Sequence, residues 1–232
     1  MSTVRGSAVA LMTRAPVVGE TKSRLAASIG TEAAAMAARA FLLDAADAVR
    51  GGDWHASLFG EPADATAALA ELTGINDARP QDDGALGARM LAAVAALGSD
   101  GHGPVVVVGT DIPTLTSRHL AAAFDALRTA DVVFGPAEDG GYYLAGMYRA
   151  HIELFDDTRI SWGGADVLAT SERLARNAGL TVARIAVERD IDTVDDLDWL
   201  RGQGARVPSH TASALRHVGL GSPSRAPSGA SS

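Results

Sequence analysis

The 232-residue sequence contains no cysteine, only one lysine, and no long apolar run. Without cysteine the chain forms no disulfide and offers no thiolate as a nucleophile or zinc ligand, so a metal would need oxygen or imidazole ligands. Each uninterrupted apolar run is shorter than the roughly 18 residues that a membrane-spanning helix needs. We therefore expect a soluble, cytoplasmic protein.

Basic residues are also in the minority, because 20 Lys and Arg against 28 Asp and Glu give a net charge of -8. This balance disfavours a nucleic acid or an anionic membrane as the main partner and favours a small molecule. The length and the 47% hydrophobic content suit one globular domain, which we expect over residues 1–203. Residues 204–232 are rich in Gly, Ser, Pro and Ala, and we expect them to form a flexible tail.

Apolar runs of strand length alternate with alanine-rich helical stretches, which is typical of an α/β fold with helices on both faces of a mostly parallel sheet. The pattern predicts strands at 8–12, 54–59, 105–109, 131–135, 142–147 and 182–185, and helices at 32–49, 63–72, 85–97, 117–127, 167–178 and 194–200. The link between 131–135 and 142–147 is too short for a parallel crossover. One of these two strands should therefore run antiparallel.

The loop after the first predicted strand carries three cations, Arg14, Lys22 and Arg24. It lies beyond the carboxyl end of a strand, which is where open α/β sheets bind ligands. Arginine forks, a lysine ammonium and loop N–H groups together suit phosphate. Lys22 is the only lysine in the chain, so a general use of lysine for surface charge does not explain it. The loop predicts a phosphate site, although basic loops are also commonly just solvated.

Two aspartates are candidate metal ligands. Asp111 follows a continuous valine run that is typical of a central parallel strand, and Asp192 lies where the last strand leads into a helix. Our hypothesis is that both carboxylates converge on one Mg²⁺ or Mn²⁺ ion that bridges nucleotide phosphates. The alternative for Asp111 is a structural aspartate that begins a turn before proline.

A turn between two predicted strands contains Glu138, Asp139, Gly140 and Gly141. The paired glycines permit positive φ and close approach of a ligand to the backbone. Asp139 is the first candidate for orienting or deprotonating an acceptor group, and Glu138 is the second. The alternative is an ordinary hairpin turn, which has the same composition. Trp162 is either a wall of a substrate pocket or part of the core.

Six motifs follow one another along residues 8 to 200: Gly19-Glu-Thr-Lys-Ser-Arg-Leu25, Gln81-Asp-Asp-Gly-Ala-Leu-Gly-Ala-Arg-Met90, Gly109-Thr-Asp-Ile-Pro113, Gly135-Pro-Ala-Glu-Asp-Gly-Gly-Tyr-Tyr-Leu144, Ser161-Trp162 and Asp190-Ile-Asp-Thr193. Together they resemble the nucleotide-diphospho-sugar transferase superfamily, which has the Rossmann-like glycosyltransferase-A fold. Within it they resemble the DUF2064 glycosyltransferases, also called radical-SAM/selenodomain-associated transferase 1.

The resemblance implies that the first loop, with Gly19, holds a nucleotide over the sheet edge, and that Gly87 and Arg89 add to this nucleotide side. It implies a divalent metal at Asp111, and an acceptor near the segment that ends at Tyr142. The sequence departs from the pattern at Arg14, where related sequences have lysine.

Three functions remain open. A glycosyltransferase, which the family placement favours, would move a sugar from a nucleoside-diphosphate sugar to a small acceptor. A nucleotidyltransferase would join a nucleoside triphosphate to a phosphorylated small molecule and release pyrophosphate. Residue chemistry favours this second function, because three loop cations suit a triphosphate and Asp111 stands alone where sugar transferases usually have Asp-x-Asp. The third is an inactive nucleotide-binding module.

Overall fold

A computed structural model describes residues 5–217. Its strands are β1 (Ala8–Arg14), β2 (His55–Glu61), β3 (Asp77–Pro80), β4 (Val105–Val108), β5 (Val132–Pro136), β6 (Tyr142–Met147) and β7 (Val182–Arg184). Its α-helices are α1 (Ser23–Ile29), α2 (Thr31–Arg50), α3 (Thr66–Thr73), α4 (Leu86–Ser99), α5 (Ser117–Ala126), α6 (Val167–Asn177), α7 (Val194–Arg201) and α8 (Ser209–His217). Short 3₁₀ turns lie at Ala63–Ala65, Ile152–Phe155 and Gly204–Arg206. Within the described residues, no helix is both long and apolar enough to cross a membrane.

The seven strands form one sheet in the order β3-β2-β1-β4-β6-β5-β7. Strand β6 is antiparallel to β4 and to β5, whereas the other neighbouring pairs are parallel. The predicted single antiparallel strand is therefore confirmed. Because β6 is reversed, its first residue lies at the edge where the parallel strands end, so the segment before β6 meets the loops that follow β1 and β4.

The core has a layer on each face of the sheet. In β1, Ala8, Ala10 and Met12 belong to one layer, and Val9 and Leu11 to the other. Helices α4 and α6 cover the first face, and α2, α3 and α5 cover the second. All four valines of β4 are buried, as expected for a central strand with helices on both sides. The predicted mostly parallel sheet between two helical layers is confirmed.

Three regular elements differ from the prediction. Strand β3 has only four residues and no apolar alternation, and helix α1 has only seven residues, so neither has a clear periodic signal. The third is α8, which lies in the predicted tail but packs on α2. There the buried carboxylate of Asp44 accepts hydrogen bonds from the backbone N–H groups of His210 (3.1 Å) and Thr211 (2.8 Å). This partner is more than 160 residues away in sequence, so local composition did not reveal it. The rest of the predicted tail, 218–232, lies outside the described residues.

Candidate functional site

A cavity of about 750 Å³ lies at the edge of the sheet where β1 and β4 end and β6 begins. This volume is within the range of small-molecule sites. Each of the six sequence motifs contributes one or more residues to its lining; in chain order they include Lys22, Arg89, Asp111, Tyr142, Trp162 and Asp192. Lys22 and Asp192, which are 170 residues apart in the chain, thus meet in one space.

Lys22 lies at the centre of the acidic side of this cavity. Its Nζ is 2.6 Å from Asp111 Oδ1 and 2.7 Å from Asp192 Oδ1, and it donates a further hydrogen bond to the carbonyl of Ile191 at 2.9 Å. Its backbone is left-handed (φ 48°), the one non-glycine case among the described residues. This conformation ends the first loop and begins α1, and it costs energy that the three contacts of the ammonium group can offset.

The Lys22 ammonium is almost buried, since its side chain is 9% exposed. Burial alone would lower the pKa of Lys22. The negative charges of Asp111 and Asp192, together with their hydrogen bonds, outweigh burial and raise the pKa above its ordinary value of 10.5. Lys22 is therefore protonated at neutral pH and acts as a fixed positive charge rather than as a base.

The two predicted metal ligands are thus next to each other, on either side of one ammonium group. Their side chains are still 58% (Asp111) and 36% (Asp192) exposed toward the cavity. Each carboxylate contacts Lys22 through its Oδ1 atom. Oxygen ligands of this kind suit Mg²⁺ or Mn²⁺, and the donor set fits such an ion.

Asp190 is a third acid of this group that the sequence reasoning did not select. Burial raises its pKa, and the negative charges of Asp139 and Asp192 raise it further. A signal was present in the sequence, because side chains alternate in an extended segment. Ile191 is fully buried, while Asp190 and Asp192 on either side of it line the cavity.

A second charged group lies at the ends of β1 and β2. Glu61 accepts from Arg14 (3.0 Å) and from Arg89 (2.6 Å), and Arg89 also donates to Gln81 (3.1 Å). The Gln81 amide in turn donates to the backbone carbonyls of Thr13 and Phe59. The hydrogen bond from Arg14 is the main reason that the pKa of Glu61 is lowered. Sequence reasoning missed Glu61, although parallel pairing places it beside Arg14.

The cavity lining as a whole carries more negative than positive charge. It contains six carboxylates, Glu20, Glu61, Asp111, Asp139, Asp190 and Asp192, and four cations, Arg14, Lys22, Arg24 and Arg89. A polyanion such as a nucleoside triphosphate would be repelled by a net negative cavity, unless a divalent cation binds with it.

Four predicted site residues do not line the cavity. Gly19 is exposed in the first loop with φ +86°. Glu138 lies 3.8 Å from Arg189, and Gly140 has φ +92° and packs tightly on Ala165. Gly87 is buried where α4 approaches the segment that precedes Trp162.

The other residues predicted at the turn before β6 do line the cavity. Asp139, Gly141 and Tyr142 contribute to its wall, and Asp139 Oδ1 accepts a hydrogen bond from the Gly141 N–H at 2.8 Å. Burial raises the pKa of the Tyr142 hydroxyl well above its ordinary value of 10.0, so this group is not poised for acid–base work. Trp162 lines the cavity and also packs edge-on against Tyr142, with ring centroids 6.2 Å apart.

A separate acidic group with a histidine lies between α2 and α8. Asp44, Asp47 and His210 have their ligating atoms close together. The carboxylate of Asp44, however, is used by two N–H groups in the first turn of α8. This arrangement is a helix cap, and it lies apart from the residues that line the cavity.

Comparison with known proteins identifies a family and several relatives. A protein-family model described as "Uncharacterized protein conserved in bacteria (DUF2064)" matches residues 43–163. A 3-phospho-D-glycerate guanylyltransferase of Phenylobacterium zucineum (strain HLK1) is 29% identical over 204 residues, which cover 84% of this chain and 91% of the relative.

One similar solved structure is a protein of Desulfovibrio desulfuricans G20, provisionally described as a nucleotide-diphospho-sugar transferase. Its TM-score is 0.84 and its sequence identity is 31%, and the match covers 92% of this chain and 95% of that chain. A cytidylyltransferase of Leptospira borgpetersenii (TM-score 0.54, 14% identity, 92% and 94% covered) shares the fold alone. The family match over more than half of the residues and the Desulfovibrio relative agree with the motifs, and the chain belongs to the DUF2064 family.

Proposed function

We propose that the chain is a divalent-metal-dependent nucleotidyltransferase, which transfers the nucleoside monophosphate part of a triphosphate to a small phosphorylated acceptor. The observation that carries this proposal is the position of Lys22. Its ammonium is fixed between Asp111 and Asp192 at the edge of a cavity that also contains three arginines. Carboxylates for a metal and cations for phosphate groups are thus available in one space.

In the proposed reaction an oxygen of the acceptor phosphate attacks the α-phosphorus of the nucleoside triphosphate. The bond between the α-phosphorus and the bridging oxygen to the β-phosphate breaks, and pyrophosphate leaves with the electron pair. The attacking phosphate is already an anion, so no proton has to be removed. This chemistry needs positioning and charge neutralisation rather than a general base, which agrees with a Lys22 that stays protonated.

We assign the metal to Asp111 and Asp192, and Mg²⁺ or Mn²⁺ held there would neutralise charge on the phosphates. Lys22 and Arg24 then contact phosphate oxygens from the first loop. Asp139 orients the acceptor, a role that does not require it to take up a proton.

The name of one relative supports a phosphorylated acceptor. The Phenylobacterium relative is named for guanylyl transfer and for 3-phospho-D-glycerate, a compound with both a phosphate and a carboxylate. We propose GTP and 3-phosphoglycerate as the first substrates to test. Arg14 and Arg89 would bind an additional anionic group, by exchanging their contacts with Glu61 for contacts with the ligand. Because this reaction consumes nucleoside triphosphates, we propose the cytoplasm as its compartment.

Glycosyl transfer is the second candidate, and the description of the Desulfovibrio relative is what favours it. In that reaction a sugar carbon is attacked and a nucleoside diphosphate leaves. The same metal and the same cations would neutralise the leaving group, so the structure of the site is compatible with both reactions. The released product separates them.

The test is to incubate the purified protein with one nucleoside triphosphate at a time, 3-phosphoglycerate and Mg²⁺ or Mn²⁺, and to follow the products by ³¹P NMR. Parallel reactions contain nucleoside-diphosphate sugars. We expect pyrophosphate together with a new diphosphate diester, and no turnover after metal removal with EDTA. Nucleoside diphosphate released only from a sugar donor would establish the second candidate instead. Binding without turnover in either set would overturn both.

Asp111→Asn tests the site directly, because the amide keeps the size of the side chain but loses its charge. We expect kcat/KM to fall at least 100-fold, equivalent to about 2.7 kcal/mol. Asp64→Asn is the matched control, since Asp64 is exposed and lies outside the cavity lining. Equal activity of the two variants would contradict the assignment of Asp111.

A further inference from the structure

Asp157 connects two walls of the cavity without lining it. Its Oδ1 atom accepts a hydrogen bond from the indole Nε1 of Trp162 and another from the backbone N–H of Gly87, the latter at 3.1 Å. Gly87 lies in the first turn of α4, where the N–H groups have no partner within the helix. One carboxylate therefore serves as a side-chain acceptor for the helix and as an anchor for the tryptophan.

The contact between Gly87 and Trp162 is tight. A Cβ atom at position 87 would lie 2.7 Å from Trp162 Cζ2 and 2.4 Å from the carbonyl oxygen of Phe155. Only glycine allows α4 and the segment containing Trp162 to approach this closely. Close packing and the shared acceptor Asp157 thus fix the same pair of elements relative to each other.

Both of these elements contribute to the cavity wall. Leu86, Arg89 and Met90 line it from α4, and Trp162 lines it from the segment before α6. The aromatic side of this wall continues through Tyr142, which packs on Phe134 with ring centroids 4.9 Å apart. Apart from Arg89, these side chains are apolar or aromatic, so they suit the uncharged part of a nucleotide and not its phosphates.

We propose that Asp157 is a positioning residue that holds Trp162 against the first turn of α4, and that this fixed wall sets how tightly the nucleotide is bound. The second half of the proposal rests on the proposed function, since it requires a nucleotide in the cavity. Asp157 acts only through its two partners, because it does not belong to the cavity lining itself.

Three variants test the proposal. Asp157→Ala removes the shared acceptor, whereas Asp157→Asn keeps an acceptor oxygen and should behave like the wild type. Asp156→Ala is the matched control, because the neighbouring carboxylate contacts only Thr158 in its own turn. We expect the KM for the nucleoside triphosphate to rise roughly fivefold to tenfold in Asp157→Ala, with kcat changed less than twofold.

Fluorescence separates positioning of Trp162 from a general loss of stability. The emission of Trp162 is obtained as the difference between a protein and its Trp162→Phe variant, so Trp54 and Trp199 are left in place. In Asp157→Ala we expect the Trp162 emission to shift to the red and acrylamide to quench it more strongly. Asp157→Asn and Asp156→Ala should leave both properties unchanged.

A double-mutant cycle gives the decisive comparison. If Asp157 acts through the indole N–H, then Asp157→Ala should raise the KM for the nucleotide much less in a Trp162→Phe protein than in the wild type. An Asp157→Ala protein that is less stable but has unchanged Trp162 emission would show a helix cap only, and would overturn the proposal. So would a rise in KM for the acceptor alone. The emission of Trp162 can be measured without turnover. A wild type that neither binds nor turns over any nucleotide would therefore refute the proposed function, while the emission would still show whether Asp157 positions Trp162.

Discussion

Glu188 is a buried carboxylate that holds together the segment carrying two cavity acids. Its side chain is only 6% exposed, and it accepts from Thr114 Oγ1 at 2.7 Å, Arg206 Nη2 at 3.1 Å and His119 Nε2 at 3.2 Å. Its backbone N–H donates to the carbonyl of Pro136. Both the backbone and the side chain of Glu188 are therefore held in place, two residues before Asp190.

We predict that Glu188→Gln destabilises the protein by about 2 kcal/mol. A hydrogen bond to a charged group contributes about 1.5–3 kcal/mol, and a neutral one about 0.5–1.5 kcal/mol. The glutamine oxygen can still accept from Thr114, but its NH₂ group would face a donor from His119 or Arg206. We discount the loss at Arg206, because that side chain is 58% exposed and is rehydrated. For a chain of this size the melting temperature should fall by about 4–8 °C.

The pH dependence of this difference identifies its cause. Burial alone would raise the pKa of Glu188, but hydrogen bonds from His119 and Thr114 and the charge of Arg206 hold it below its ordinary value of 4.5. A carboxyl whose pKa is lowered by folding contributes stability above its unfolded pKa, and this contribution is lost as the pH falls through the folded pKa. The difference between wild type and Glu188→Gln should therefore decrease steadily below pH 4.5, as the carboxylate of the wild type takes up a proton.

The assay is urea unfolding of both proteins between pH 7 and pH 3, followed by far-UV circular dichroism. Glu71→Gln serves as the control, because Glu71 is exposed on α3 and should change the free energy of unfolding by less than about 0.5 kcal/mol. A Glu188→Gln protein as stable as this control at pH 7 would refute the reasoning. A difference that stays constant down to pH 3 would show that shape, and not charge, causes it.

Two further changes test how the chain is packed around the site. Gly140→Ala should destabilise the protein by about 3 kcal/mol in thermal unfolding, because Gly140 has φ +92° and an added Cβ would lie 2.0 Å from the carbonyl oxygen of Ala165. Gly98→Ala is the control. Gly98 lies in α4, and an added Cβ would meet no atom within 4 Å, so this change should stabilise the protein by about 0.5–1 kcal/mol. Asp44→Ala should destabilise the protein by about 2 kcal/mol and speed amide exchange in α8 without changing turnover, because it leaves the N–H groups of His210 and Thr211 unpaired. Asp47→Ala, on the exposed side of α2, should have a smaller effect on stability and on amide exchange. If Gly98→Ala proved as harmful as Gly140→Ala, or Asp47→Ala as harmful as Asp44→Ala, the corresponding explanation would be wrong.

The sequence predicted the main elements of the fold because their signals are local. The valine run of β4 and the apolar faces of α2 and α4 are visible within a single window of residues, and the short link before β6 requires an antiparallel strand. Strand β3 and helix α8 were not predicted, since their stabilising partners are distant. Asp77 of β3 pairs with His55 of β2, and α8 depends on Asp44 of α2.

The site residues that could be predicted also have a local signal in the sequence. Asp111, Lys22 and Asp192 each lie in a segment that connects a strand to the next helix, so the topology of an α/β sheet predicts that they meet at one edge. The individual pairings could not be derived in this way. Glu61 contacts Arg14 only because of the register between β1 and β2, and Gly87 packs on Trp162 rather than lining the cavity because of how α4 meets a loop 70 residues later.

The pairing of the cavity cations has a consequence for ligand binding. Lys22 already contacts two carboxylates, and Arg14 and Arg89 share a third, so a phosphate ligand that approaches these three groups has to exchange one ion pair for another. Such an exchange releases carboxylate oxygens at Asp111, Asp192 and Glu61. These oxygens need a new positive partner, which a divalent ion that arrives with the nucleotide can supply at the two aspartates. Binding of metal and nucleotide should therefore be cooperative, and the free nucleotide without a metal should bind much more weakly.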